Sequence, residues 1–397
     1  MTAPTPVTPA ALPGTRTARR RVLMIAVSVV VLILLIAYLI WWAIFARQFE
    51  STDDAYVAGN VVQVTPQVGG TVVAIHADDT ELVQAGKPLI ELDRVDAQVA
   101  LEQAEAQLAQ TIREVRVLFA NNGALSANLA VRNADVERTK ADLARRQELA
   151  GSGAVSKEEL AHARSALESA ESAMTATREQ LASNRVLTEH TSVAQHPNVQ
   201  RAAGHVKEAY LTYARMSLPA PLTGYVAKRS VQIGQRVAAG TPLLSLVPLN
   251  AVWVDANFKE AQVAHMRIGQ TVSLHSDLYG ADTEYHGKVI GVAAGTGSAF
   301  SLLPAQNASG NWIKIVQRLP VRIALDPKEL MAHPLRIGLS MQVKVTIDQK
   351  DGTPLATANV SRSLPAYKTE VFDTLGQQAE ARVASILLAN GVSAAAQ

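Results

Sequence analysis

Cysteine is absent from this 397-residue chain. Its absence excludes disulfides, thiolate metal sites and a lipid-modified cysteine, and it fits a periplasmic setting. Aromatic residues make up only 5% of the chain, while alanine is abundant, a composition that suits long helices. Lys and Arg total 37 against 35 Asp and Glu. No basic field therefore points to nucleic acid. The nine His are scattered, and no nucleophile–base spacing or zinc motif stands out, so the residues assemble no catalytic constellation. Asp53 and Asp54 are adjacent carboxylates without further ligands nearby, the pattern of a solvated turn rather than a metal pair.

What is present begins with an apolar run. From Val22 to Phe45 there is no charge, and about 24 residues at 1.5 Å each cross a hydrocarbon core of roughly 30 Å. Arg16, Arg19, Arg20 and Arg21 precede the run without an acid among them, which predicts a cytoplasmic N-terminus. Trp41 and Trp42 fall at the far interface, where indole rings prefer to lie. The run is too long for a cleaved signal peptide and lacks a small-residue exit. Residues 1–21 read as a disordered cytoplasmic tail, 22–46 as a transmembrane anchor and 47–64 as a linker with a barrel-associated strand.

One stretch then occurs twice. VGGTVVAIHADDTELVQAGKPLIEL runs from Val68 to Leu92, and LTGYVAKRSVQIGQRVAAGTPLLSL from Leu222 to Leu246. Without a gap, Gly70 falls on Gly224, Val72 on Val226, Gly86 on Gly240 and Pro88 on Pro242. Each copy reads as short strands around a Gly-x-Pro turn, and the two predict halves of one β module. The pattern resembles the biotinyl/lipoyl domain. At the position of the modifiable lysine stands Arg94, in Glu91-Leu92-Asp93-Arg94, and a guanidinium cannot be acylated the way an amine can. No cofactor is expected, and a cofactor-carrying enzyme subunit is disfavoured.

Between the halves the period changes to seven. Leu101, Leu108, Val115, Leu129, Val136 and Leu143 form a heptad series that Asn122 interrupts, and Asn122 with Gly123 predicts a local loosening. Leu160, Leu167, Met174 and Leu181 repeat on the return, with Ala163 and Ala170 on the second seam. The short turn Gly151–Val155 forces antiparallel pairing. Around His190–Asn198 the pattern fades, and Pro197 cannot sit inside a helix. Residues 65–93 and 218–248 are thus the half-modules, with an α-helical hairpin over 94–217.

From 249 to 349 five alternating stretches, including Val252–Ala256 and Val343–Ile347, predict a small antiparallel β-barrel. The segment Gly295–Asn311 is a long loop whose glycines lack the ending of a phosphate loop. Residues 350–397 read as a C-terminal tail with a short amphipathic helix over 379–390, carrying Val383, Ile386 and Leu387 on one side. The fold class is multidomain α+β, with anchor, split lipoyl-like module, coiled-coil hairpin and barrel.

Several strings together resemble the EmrA-type multidrug efflux adaptors, a branch of the HlyD-like membrane fusion proteins. They are Thr52–Asn60 (TDDAYVAGN), Val252–Gln262 (VWVDANFKEAQ), Met266–Gln270 (MRIGQ) and Gly295–Ile323. The resemblance implies a non-enzymatic, homo-oligomeric adaptor in the inner membrane of a Gram-negative bacterium, with its bulk in the periplasm. It implies two protein partners, a major-facilitator drug transporter and a TolC-type outer-membrane channel, and leaves open whether drug-like small molecules touch the adaptor itself. The same architecture serves type I protein secretion beside an ABC transporter; the long strings favour efflux. Adaptors of this kind often carry Arg-x-x-x-Leu, six residues, then Ser at the hairpin tip for channel docking. Arg145, Leu149 and Ser156 have that spacing. Ser156 with Glu159 also reads as a helix capping box.

Overall fold

In a computed structural model of the chain, positions 2–3, 16–45, 48–151, 153–280, 282–300, 316–348, 352–355 and 367–392 are described. In chain order the first elements are α1 (Arg16–Phe45), β1 (Phe49–Ala58), β2 (Val62–Val64), β3 (Gly70–Ile75), β4 (Leu82–Val83) and β5 (Pro88–Leu92). Three helices follow, α2 (Val95–Ala150), α3 (Lys157–Thr188) and α4 (Pro197–Ala214), then β6 (Ser217–Pro219), β7 (Gly224–Arg229), β8 (Arg236–Val237) and β9 (Leu244–Val247). The last are β10 (Trp253–Lys259), α5 (Glu260–Val263), β11 (Thr271–Ser276), β12 (Glu284–Val292), β13 (Arg318–Leu325), α6 (Pro327–Ala332), β14 (Ser340–Thr346) and α7 (Thr374–Ala389). They form two compact units, one of residues 1–61 with 247–366, the other of 62–246 with 367–397.

In the first unit, α1 begins six residues before the apolar run. Arg16–Arg21 are therefore helical rather than a disordered tail, because Arg and Ala are good helix formers and propagate an adjoining helix cheaply. The remaining tail positions 4–15 and the side chain of Trp42 lie outside the described residues.

The same unit holds a closed barrel in the order β1-β10-β13-β12-β11-β14. Along β10 every second residue is buried, so that Val254, Ala256 and Phe258 fill the interior while Trp253 and Asp255 lie outward. That alternation follows from the period of two in an extended chain. Closure leaves no unpaired edge, and β1 provides it by pairing with both β10 and β14. The segment 47–64 is thus divided. Phe49–Ala58 is a full barrel strand, although its Ser-Thr-Asp-Asp run hides the alternation, and Val62–Val64 joins the other unit. A register shift between Thr52 and Ala55 absorbs the two aspartates. Asp54 accepts hydrogen bonds from Asn257 Nδ2 (3.1 Å) and from Arg318 Nη1, which makes it a brace across the barrel wall. Of the loop Gly295–Asn311, residues from 301 onward lie outside the described residues.

In the second unit the two half-modules build one sandwich of two four-stranded sheets, β2-β9-β7-β4 and β6-β5-β3-β8. Each sheet takes strands from both halves. Gly70 pairs with Val237 and Leu82 with Tyr225 across the halves. The repeat extends to individual bonds. Gly86 N–H donates to Ala220 O at 2.9 Å, and its repeat mate Gly240 donates to Pro66 O at the same distance. Both glycines have φ above +80°, a backbone state that side chains resist. Leu89, Ile90, Leu92, Leu243, Leu244 and Leu246 lie at the centre of the shared core. Neither half alone has strands enough to cover both faces of such a core.

The helices rise from this sandwich. α2 is one unbroken helix of 56 residues, about 84 Å long. The loosening expected at Asn122-Gly123 does not occur. A glycine costs roughly 1 kcal/mol relative to alanine, small against a long helix, and Asn122 is tied to the facing helix. The return arm is two helices. α3 ends at Thr188, and α4 restarts with Pro197 in its first turn, where no N–H is required. His196 caps α4. Its Nδ1 accepts from Asn198 N–H at 3.2 Å, and a proton on Nε2 lets the ring also bond Leu187 O at 3.1 Å.

The C-terminal region is not a loose tail over 367–392. α7 packs on α2 and α4, and Val383, Leu387 and Val392 are buried with Leu108, Ile112, Val115 and Val206. Arg382 Nε and Nη2 reach Glu105 at 2.6 and 2.9 Å in a forked pair. Arg116 Nη1 donates to Asn390 O at 2.8 Å. Three helices thus share one core at the base of the hairpin.

Candidate functional site: the hairpin tip and the anchor

Leu143 is the last buried position of α2 before the turn. Beyond it the seam runs out and the residues open to solvent. Leu149 is 45% exposed. Arg145 precedes it by four positions, one helical turn, which puts both on one face. Asp142 accepts from Arg145 Nη2 at i,i+3 and pairs with Arg146 Nε at 2.8 Å at i,i+4. One carboxylate thus orders two guanidinium groups, although exposure keeps each pair weak. Asp142 was not named from the sequence, although its acid-to-base spacing is the signal for both pairs.

The turn passes through Gly151 and then Gly153, whose φ is +78°. Ser156 opens α3 with a full capping box. Glu159 N–H donates to its Oγ at 3.1 Å, and Ser156 N–H donates to Glu159 Oε2 at 2.8 Å. Those bonds, with Arg146 nearby, hold the Glu159 carboxyl below its ordinary range, the backbone N–H of Ser156 being the main cause. In the cap the Ser156 hydroxyl accepts through a lone pair, and the Ser156 side chain also helps to lower the Glu159 carboxyl. Arg145, Leu149 and Ser156 therefore all belong to the last turns flanking one tight loop. Leu149 offers apolar surface, Arg145 a planar donor fork and Ser156 a hydroxyl. Among the described residues no cluster of three or more His, Cys, Asp or Glu could hold a metal.

In the unit that holds the barrel, Arg19–Trp41 is a helix long and apolar enough to cross a membrane, and none of that span is buried within the protein. Val27, Leu32, Ile36 and Leu39 are each about half exposed or more, an apolar surface that needs lipid to cover it. Arg19, Arg20 and Arg21 stand at its start. Trp41 lies near its end, with its ring 6.2 Å from that of Tyr38.

Arg94, the residue in the modifiable position, has a structural setting. Its Nη2 donates to Glu91 Oε2 at 3.1 Å, and its guanidinium lies 5.8 Å from the Tyr213 ring centre. The hydrogen bond to Tyr213 first, and then the Glu91 charge, raise its already high pKa.

Two family models match the chain, the EMRA alpha-helical hairpin domain over residues 95–216 and the AAEA-like beta-barrel domain over 251–351. The multidrug export protein EmrA of Escherichia coli K12 is 47% identical over 82% of this chain and 83% of its own length. The fatty acid resistance protein FarA of Neisseria gonorrhoeae is 50% identical over 85% and 84%. A solved structure of the periplasmic adaptor protein EmrA is 18% identical, with a TM-score of 0.38, over 76% of this chain and 99% of that one.

A helical hairpin domain and a β-barrel domain, with one apolar helix long enough to cross a membrane, are the parts of a membrane fusion protein. The chain belongs to the EmrA family of multidrug export proteins, and its role is that of an adaptor in efflux.

Proposed function

We propose that this adaptor joins an inner-membrane transporter of the major-facilitator class to a TolC-type outer-membrane channel, and that it docks on the channel through Arg145, Leu149 and Ser156. It acts as a homo-oligomer and catalyses no reaction. Its N-terminus is cytoplasmic, Arg19–Arg21 sit at the inner face of the inner membrane, and Trp41 and Trp42 sit at the outer face. The observation that carries the docking reading is the exposure of Leu149 beyond the last buried seam position. An exposed leucine at the end of a long rod contributes little packing to its own chain and much to a partner. Arg145 beside it supplies a donor fork suited to carboxylates or backbone carbonyls.

Leu149→Glu and Arg145→Asp should each abolish drug resistance in cells and reduce crosslinking to the outer-membrane channel. Protein level, membrane insertion and helical content should stay near wild type, since exposed substitutions cost within about 0.5 kcal/mol. Full resistance and undiminished crosslinking in both variants would refute the docking role. Co-purification with the transporter encoded beside this chain tests the inner-membrane partner. Recovery of an ABC transporter would redirect the reading to protein secretion.

A further inference from the structure

Only Ala46 and Arg47 lie between the end of α1 at Phe45 and the barrel ladder, which begins where Gln48 O accepts from Ile347 N–H at 2.8 Å. Three Cα steps reach about 11 Å at most. The uncharged run that ends at Phe45 is long enough to span the hydrocarbon core, so the chain leaves α1 at the headgroup layer. Whatever the tilt of the helix, the barrel end that holds Phe49 is kept within that short reach of the lipid surface.

This end has an apolar feature of its own. The segment after β12 folds back along β13. Ala293 N–H donates to Pro320 O at 2.8 Å, and Ser298 Oγ donates to Gln317 Oε1 at 2.6 Å. Gln317 O in turn accepts from Glu260 N–H at the start of α5 at 3.3 Å, and Gln262 of α5 donates to Glu50 at 2.7 Å. The segment is thereby tied to the same end as Phe49. Phe300 stands on it and is 73% exposed. A Cβ on Gly295 would meet its ring at 2.8 Å, so the glycine leaves room for the ring over the backbone. Val316 is exposed where the chain returns to β13. Lys344 Nζ lies 3.9 Å from the Phe49 ring centre, an ammonium above an apolar group as at a membrane interface. Charges of both signs share this end, Lys259 and Lys344 with Glu50 and Glu260, so the cover its apolar groups call for is not a surface of one charge.

We propose that this end of the barrel rests in the headgroup layer at which α1 ends, with Phe300 and Val316 inserted among the lipids. The barrel is then held to the bilayer at two points, the helix and this segment. Two points fix its orientation, whereas a single helix leaves it free to swivel. The inference rests on α1 crossing the membrane and does not use the channel-docking reading.

The chain has no native cysteine, so variants of the full chain each carry one nitroxide label, at Val316→Cys, Leu278→Cys or Leu32→Cys, in nanodiscs of phosphatidylcholine and phosphatidylglycerol. Leu278 is also exposed, but it follows Asp277, which accepts from Ser340 Oγ at 3.2 Å. Ser340 pairs with Tyr56, seven residues along β1 from Phe49 and so about 23 Å away. Power saturation compares relaxation by oxygen, which concentrates in lipid, with relaxation by a water-soluble nickel chelate. The oxygen-to-nickel ratio should be severalfold higher at position 316 than at 278, and Phe300→Asp should lower the ratio at 316 to that at 278. With position 32 reading as lipid, three results overturn the proposal. They are a ratio at 316 no higher than at 278, a ratio unmoved by Phe300→Asp, and loss of access to both reagents at 316, which marks cover by a second copy. A water-like ratio at 32 overturns the anchor reading and the proposal with it. If the Phe300→Asp chain fails to insert, the comparison of 316 with 278 decides alone.

Discussion

Asn122 Nδ2 on α2 donates to Thr188 Oγ1 at the end of α3 at 2.6 Å, across what is elsewhere an apolar seam. Asn184 completes the crossing, donating at 2.9 Å to Asn122 Oδ1 and at 3.0 Å to Leu118 O. The heptad series that leucine and valine fill at other levels is occupied here by polar groups that satisfy one another. Such a group fixes which turn of one helix faces which turn of the other, because a slip by one heptad would leave partly buried amides unpaired. Asn122→Ala removes the acceptor of Asn184 and the donor to Thr188. It should lower stability by about 1–2 kcal/mol, read as a lower urea midpoint. Asn122→Ala and Asn184→Ala together should cost less than the sum of the two, since they share one network. Strict additivity would show that the crossing is not a unit.

The C-terminal helix makes a second prediction. Leu387 is 8% exposed against the hairpin base, whereas its neighbour Leu388 is 59% exposed. Leu387→Ala should therefore cost about 2–4 kcal/mol in the cooperative unit it belongs to, and Leu388→Ala less than about 0.5 kcal/mol. Limited proteolysis of the last thirty residues or so, followed by mass spectrometry, separates the two. Equal protection in both variants would mean that α7 is not anchored by this face.

How much of this was legible in the sequence differs from element to element. The two half-modules were plain because the repeat carries Gly86 and Gly240 at matching turns, and turn geometry constrains residue type strongly. The seam was plain as far as leucine marked it. Asn122 was visible as an interruption, but its partners Asn184 and Thr188 sit on another helix, and no local pattern connects them. A barrel-associated strand was expected within 47–64, but its extent over Phe49–Ala58 was hidden because polar residues line it and its partners in β10 and β14 lie some two hundred residues downstream or more. α7 was seen as a helix but not as part of the base, since an Ala-rich amphipathic stretch does not declare what it packs on. At the tip, the spacing of Arg145, Leu149 and Ser156 had meaning only through a family resemblance. The carboxylate of Asp142, which orders Arg145 and Arg146, is absent from the sequence reading although its helical spacing to both could have shown it.

In the barrel, His286 Nδ1 lies 2.8 Å from Glu329 Oε1, with Glu284 and Asp326 also acting on it. The hydrogen bond to Glu329 raises the His286 pKa above its ordinary value of about 6.5. A pKa raised in the folded state contributes stability that is fully present below the unfolded value and disappears as pH rises through the folded one. The stability difference between wild type and His286→Gln should therefore be largest near pH 5.5 and shrink toward pH 8.5. Because the group is exposed, the effect is small and weakens further with salt. A difference that stays constant across that range, or grows with pH, contradicts the pairing.

The last prediction separates two uses of Ser156. As the N-cap of α3 it accepts from Glu159 N–H, and Ser156→Ala should cost about 1 kcal/mol and fray the first turn. In channel docking it would act through its hydroxyl as a donor to the partner. Ser156→Asp keeps an N-cap acceptor of equal quality and favours the helix N-terminus electrostatically, but it removes the hydroxyl donor. It also sets a second carboxylate beside Glu159, so Ser156→Asn provides an uncharged cap as a control. If the hydroxyl docks, Ser156→Asp and Ser156→Asn should both retain near-wild-type helix stability by circular dichroism melting and lose crosslinking to the channel. If the residue only caps, both should keep resistance and crosslinking, and Ser156→Ala alone should show a deficit that follows its loss of stability. The pH dependence gives an independent reading of the cap. Because Glu159 has its pKa lowered by Ser156, the capping box contributes above the ordinary glutamate range and is lost as pH falls through the folded value. Melting profiles of wild type and Glu159→Gln should therefore converge in acid, and profiles that stay equally far apart there would mean that the Glu159 charge has no share in the cap.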